Sequence, residues 1–388
     1  MEEVSRATPL SAFVKIGLVL TLVTLVLGSV RFARFDWTGL PLDRGPITAE
    51  RQVGRCLEKI HPYTTESGRV IKPVVVDEMQ YLSLVEYFRG VPKAELQSTC
   101  LYDPFTNRAG MSWIAHWIPG DEGVALALVN TVMLVLGLWV VLTTIRSQGV
   151  GSRGLLTAGV LYSVAWNPFF FGTGVLVDPG VIAAIALCWF LISTKRTWLV
   201  WPIMLLGYPL KETIGIVIPV MWAASWQDYR QGGKSLVYAA APALAATVAF
   251  VVGVAFWRQA LPQPAASWEV TPDIDDIVHN LTDIISLASF AIGVLPLLIP
   301  AYLMARKAAR ADGWPAAILD PATVGVIMAL GICGWSFITV DLTPRLFWIG
   351  FPFAATQAAL WFSQGKPKEW LDRLALPASL APDSITTS

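Results

Sequence analysis

Apolar runs recur along this chain at a length that admits few folds. The first, residues 10–30, is close to the roughly 20 residues a helix needs to cross a bilayer. Nine more follow at about residues 124–145, 155–171, 181–193, 198–210, 213–226, 236–256, 284–304, 322–340 and 346–362. Inside lipid a backbone must satisfy its own hydrogen bonds, so a series of such runs reads as a bundle of helices. Only 14% of the 388 residues are charged and 55% are hydrophobic, against about a quarter charged in ordinary soluble domains. Many of the 17 tryptophans flank the runs, where interfacial aromatics sit. The formal net charge is zero, so nothing draws the chain to nucleic acid.

Lys and Arg fall at alternate connections, and basic residues mark the cytoplasmic side. Arg6 and Lys15 hold the start of the first run inside, and no small-residue cleavage site follows it, so it reads as an anchor. Arg146 and Arg153, Lys195 and Arg196, Arg230 and Lys234, Arg306, Lys307 and Arg310, then Lys366, Lys368 and Arg373 mark later inside connections. The expected fold is an all-α polytopic membrane protein of about ten transmembrane helices, with both termini cytoplasmic. Residues 1–365 form the membrane-embedded domain, including a large first extracytoplasmic loop from Phe32 to Asp121. Residues 366–388 form a Pro/Ser/Thr-rich cytoplasmic tail. The short runs on either side of Lys211 are two segments in this reading. One long helix there would break the parity and turn Arg306, Lys307 and Arg310 outward.

This topology puts Asp77, Glu78, Arg108, Asp178, Lys211, Glu212, Asp341 and Arg345 on the outer side. Charge next to an apolar layer costs free energy, so such a cluster points to a site. The first loop also holds Cys56 and Cys100, while Cys188 and Cys333 lie within apolar runs. An oxidising compartment permits a Cys56–Cys100 disulfide, and two unpaired thiols are the alternative. Two loop stretches carry helical spacing. Tyr81, Val85 and Phe88 recur at i, i+4, i+7, and Met111, Ile114 and Ile118 repeat similarly between Trp113 and Trp117. Each suits a helix lying in the interface plane, or else ordinary packing within the loop. Asp273, Asp275 and Asp276 form an acidic outer loop in this reading.

A carboxylate at a low-dielectric boundary can serve as a base, which fits Asp77 or Glu78. Arg and Lys suit phosphate recognition, which fits Arg345 and Lys211. A base, a hydroxyl acceptor and a cationic clamp together describe group transfer from a lipid phosphate. The plain alternative is that Lys211 neutralises Glu212 and Arg345 neutralises Asp341. Metal chemistry has little support: His61, His116 and His279 are far apart and no Cys-x-x-Cys occurs. Asp77 with Asp178 could hold a hard divalent cation, but nothing demands one. A transporter or lipid flippase is the competing class. It predicts charges at mid-span, and no internal repeat supports it. A non-catalytic scaffold would not need charges at so many outer ends.

Four blocks resemble the GT-C superfamily of polytopic, polyprenyl-phosphate-sugar-dependent glycosyltransferases, bacterial type. They are DEMQY in the first outer loop, PFTNRAGMSWIAHWIP further along it, YPLKETIGIVIP, and DLTPRLFWIGFP near the last run. The resemblance implies a transferase that moves a hexosyl or pentosyl group from a polyprenyl-phosphate sugar to a glycan or lipid acceptor. This would occur at the outer face of a bacterial inner (plasma) membrane, in building the cell envelope. It points to Asp77 as catalytic base, with Glu78 the alternate. Lys211 and Arg345 would meet the donor phosphate, and Arg108, Asp178, Glu212 and Asp341 would line the substrate site. The chain departs from that family in having no C-terminal soluble domain to read an acceptor.

Overall fold

The computed structural model describes residues 8–33, 50–53, 56–59, 63–64, 70–71, 76–96, 98, 100–172, 176–232, 235–267, 271–339 and 343–364. Helix α1 (Leu10–Ala33) precedes two small antiparallel hairpins, β1 (Glu50–Val53) with β2 (Cys56–Lys59) and β3 (Tyr63–Thr64) with β4 (Val70–Ile71). Helices α2 (Val76–Phe88) and α3 (Gly110–Ala115) complete the first loop. Then come α4 (Glu122–Ser147), α5 (Ser152–Val164), α6 (Trp166–Phe171), α7 (Asp178–Ser193), α8 (Val200–Gly207), α9 (Val217–Arg230) and α10 (Leu236–Ala260). The chain finishes with α11 (Ile274–Thr282), α12 (Ile284–Asp312), α13 (Trp314–Ile318), α14 (Pro321–Phe337) and α15 (Phe351–Gln364).

Side-chain caps set several of these starts. Asp121 accepts from the Val124 amide before α4, and Asp283 from Ile285 before α12. Asp320 accepts from Thr323 before α14, with Pro321 in the first turn. Each satisfies an amide that the helix itself leaves without a partner.

Five segments are long and apolar enough to cross a bilayer: Leu10–Val30, Glu122–Ser147, Leu236–Ala260, Ile284–Asp312 and Pro344–Ser363. Large apolar side chains stay exposed along them, among them Leu18, Leu22 and Val26 on α1 and Leu244, Val248 and Val251 on α10. Apolar surface of that extent needs a covering, and lipid supplies it. The chain is an α-helical membrane protein.

Two apolar cores result. The larger joins α4, α5, α7, α9, α12, α14 and α15. The smaller is built from Met79, Tyr81, Leu84, Val85, Tyr102 and Phe105 with the start of α4. It corrects one expectation. Helix α2 does not lie on a surface with an apolar side down, because it is buried from Glu78 through Glu86 on every side. Its polar residues find protein partners instead of water. Gln80 Nε2 donates to Ser98 Oγ at 2.9 Å and to the Cys100 carbonyl at 3.0 Å, and the Ser98 amide donates to Ser83 Oγ at 2.6 Å. Helix α3 keeps the expected two-sided character, with Met111 and Ala115 buried and Trp113 exposed, and Trp117 just beyond it is exposed too. The acidic stretch at 273–276 is not a loop: it starts α11, with Asp273 as its cap.

Candidate functional site

The chain breaks between α8 and α9. Pro209 cannot donate to a helix, and Lys211 is fully extended at φ −178°, ψ 141°. Extended residues send successive side chains to opposite sides. Lys211 therefore turns inward and Glu212 outward, and the two take different partners.

Inward, Lys211 Nζ donates to Asp178 Oδ1 at 2.6 Å. Asp178 opens α7, where the positive end of the helix dipole favours a carboxylate. Its second oxygen accepts from Arg345 Nε at 2.5 Å. Arg345 follows Pro344 in a 3₁₀ stretch, Pro344–Gly350, that leads into α15. Its Nη1 reaches Asp77 Oδ2 at 3.1 Å. Asp77 and Glu78 occupy the first turn of α2. One guanidinium thus links the first loop to α7 and to the segment that leads into α15. Outward, Glu212 is gripped by Arg108 through Nε, at 2.9 Å, and through Nη2. Such a two-point fork fixes geometry as well as charge.

Two close approaches bring the first loop onto this break and onto the start of α7. The Gly110 amide donates to the Pro209 carbonyl at 2.8 Å. A Cβ at Gly110 would stand 2.9 Å from that oxygen, so only glycine lets the strands of chain come this near. Gly180, in the first turn of α7, packs directly under Met111, leaving no room for a side chain.

Burial is graded across the cluster. The side chains of Asp178 and Lys211 are 1% and 5% exposed, Arg345 12%, Asp77 18% and Glu212 38%. The cluster therefore has a dry floor and a wet rim. Asp77 stands nearer the rim than Glu78, which is buried.

Of the expected site residues, Asp77, Arg108, Asp178, Lys211, Glu212 and Arg345 come together. Lys211 pairs with Asp178 rather than Glu212, and Arg345 with Asp178 and Asp77. Asp77 and Asp178 share the Arg345 guanidinium. Among the described residues no three His, Cys, Asp or Glu side chains gather as metal ligands. Asp341 lies outside the described residues. Cys100 is disulfide-bonded and Cys188 and Cys333 are buried free thiols; the side chain of Cys56 lies outside the described residues.

Sequence reasoning passed over Tyr81, which it assigned to an apolar face. Tyr81 is fully buried, and its hydroxyl has no hydrogen-bond partner of ordinary geometry. Burial pushes the phenol above its usual range, and Arg108 and Arg345 pull it back. The hydroxyl therefore sits within the field of both arginines, and of Asp77 and Asp178 as well. The signal was present in DEMQY: Asp77 and Tyr81 are i and i+4, on one side of a helix.

The fold and cluster define a class, an α-helical membrane protein whose first loop is tied to its helices by buried ion pairs. Comparison with protein-family models, with curated proteins and with solved structures found no match.

Proposed function

We propose that the chain is a membrane-embedded glycosyltransferase that moves a sugar from a polyprenyl-phosphate donor to a glycan or lipid acceptor. One observation carries the reading: a rim carboxylate, Asp77, shares Arg345 with the buried Asp178–Lys211 pair. A base and cations suited to phosphate then stand side by side. Asp77 takes the acceptor proton, and Arg345, Lys211 and Arg108 receive the phosphate. Lys211 has three N–H donors, and its bond to Asp178 uses one. The topology that goes with this has ten spans, with α5, α7, α8, α9 and α14 joining the five long segments. Both termini are cytoplasmic in a bacterial inner membrane, and the site faces outward.

The test is turnover of a polyprenyl-phosphate sugar by purified protein at matched expression. Asp77→Asn is expected to lose roughly 10²–10⁴-fold, the usual cost of a missing general base. Glu78→Gln is expected to lose far less, because adjacent helical side chains point about 100° apart. Full turnover in both single variants and in the double variant would reject the reading.

A transporter or lipid flippase is the second reading. It is favoured by the break between α8 and α9 beside a buried ion pair, since interrupted helices often line transport sites. Movement of labelled polyprenyl phosphate across vesicles without sugar transfer would select it.

A further inference from the structure

Helix α11 has three flanks with different surroundings. Ile274, Val278 and Leu281 recur at i, i+4 and i+7, and Ile285 stands just past the break at Asp283, in the first turn of α12. They are 74%, 52%, 60% and 40% exposed. At about 100° per residue, Asp275, His279 and Thr282 fall on the adjacent flank, roughly a quarter-turn away, and all three are exposed. The third flank meets protein. Asn280 is buried and donates to the Phe337 carbonyl at 2.9 Å, and the Asp273 amide donates to Ile338 at 2.9 Å. The helix is therefore clipped along one flank to the end of α14, polar on a second, and apolar without cover on the third.

We infer that α11 lies in the plane of the membrane interface, with lipid acyl chains against Ile274, Val278 and Leu281. Continuity with α12 identifies the occupant as lipid. Asp283 ends α11 and caps α12, and α12 is one of the five helices long and apolar enough to cross a bilayer. Its exposed Ile284, Ile285 and Leu287 prolong the apolar flank toward Ile292, Leu295 and Ile299. A bilayer covering that side of α12 reaches α11 without a gap. The attraction is apolar rather than ionic. No Lys or Arg occurs between Arg258 and Arg306, and Asp273, Asp275 and Asp276 head the helix. In-plane helices without basic residues bind through buried apolar area alone, so high salt leaves this contact unchanged. The clip gives it reach, because the end of α14 leads through a short connection to Pro344 and Arg345.

The experiment uses the full chain in phosphatidylcholine vesicles, with Cys188 and Cys333 replaced by alanine. Single nitroxide labels are placed at 274, 275, 278, 279, 281 and 282. Collisions with oxygen are expected to peak at 274, 278 and 281. Collisions with a water-soluble nickel chelate are expected to peak at 275, 279 and 282, out of phase. Nickel access at all six positions would place the helix in water and overturn the inference. Exclusion of both probes at 274, 278 and 281 would place protein, a second copy included, on the face and overturn it too. A photoreactive benzoylphenylalanine at Val278, in the otherwise native chain, gives a check that needs no cysteine change. An adduct with lipid supports the inference, and an adduct with another protein chain overturns it.

Discussion

Asp178→Asn isolates the floor of the cluster. The substitution keeps the shape and removes one negative charge that serves two cations. Arg345 retains Asp77 at 3.1 Å, so the loss falls mainly on Lys211. Lys211 is 5% exposed at the side chain and has Asp178 as its ion-pair partner at 2.6 Å. An exposed pair is worth about 0–1 kcal/mol. Removing one partner of a buried pair costs about 3–5 kcal/mol, because the other charge stays dry and unpaired. The burial here selects the second range. The assay is unfolding in mixed micelles, titrating a denaturing detergent and following tryptophan fluorescence. Asp178→Asn is expected to lose about 3–5 kcal/mol. Lys211→Met alone should lose less, since the carboxylate keeps Arg345. The double variant should recover part of the loss, because it leaves no orphaned ammonium, and a double-mutant cycle reads that coupling directly. A loss below about 1 kcal/mol for Asp178→Asn would mean that water reaches Lys211, and would refute the dry floor.

Three other outcomes are expected. Gly110→Ala should destabilise by about 1–3 kcal/mol, the usual cost of forced overpacking, because its methyl would meet the Pro209 carbonyl at 2.9 Å; the same unfolding titration reads it. Tyr81→Phe should change stability little, since the buried hydroxyl it deletes makes no hydrogen bond of ordinary geometry. If that hydroxyl meets a ligand phosphate, sugar transfer falls in the same variant. Peptide mapping of unreduced protein from its native membrane should find Cys100 bridged to Cys56, with Cys188 and Cys333 as free thiols; free alkylation of Cys100 without reductant would reject the bridge.

Periodicity and charge made much of the fold legible. The long apolar helices lie where the runs of 20 or so residues put them. The break at Lys211 could be read from Pro209 and the charged pair, because neither continues an apolar helix comfortably. The convergence of Asp77, Asp178, Lys211 and Arg345 followed from placing polar residues on one side of the bundle. Pairing was not legible. The alternative that pairs Lys211 with Glu212 fails because an extended Lys211 sends the next side chain the other way. The character of α2 was hidden for a related reason. Gln80 and Ser83 look like a wet face in a one-dimensional pattern, and only the return of the chain at Ser98 to Tyr102 satisfies them indoors. Helix α11 is hidden in the sequence because aspartates at 273, 275 and 276 mimic a polar loop ahead of a short apolar spacing.

The same side chains hold the fold and furnish the candidate chemistry, so lost activity alone does not assign a role. Loss of Asp178 or Arg345 would untie the first loop from α7 and α15, and turnover would fall whether or not either group touches substrate. Asp77 separates the two effects. It is the more exposed end of the chain of ion pairs, and Arg345 keeps its shorter bond to Asp178 when Asp77 changes. Asp77→Asn also retains an amide oxygen that can accept from Arg345 while giving up the ability to take a proton. A fall in turnover at unchanged unfolding midpoint in Asp77→Asn therefore reports chemistry. A parallel fall in both quantities reports the tether, and the catalytic base would then have to be sought at Glu78.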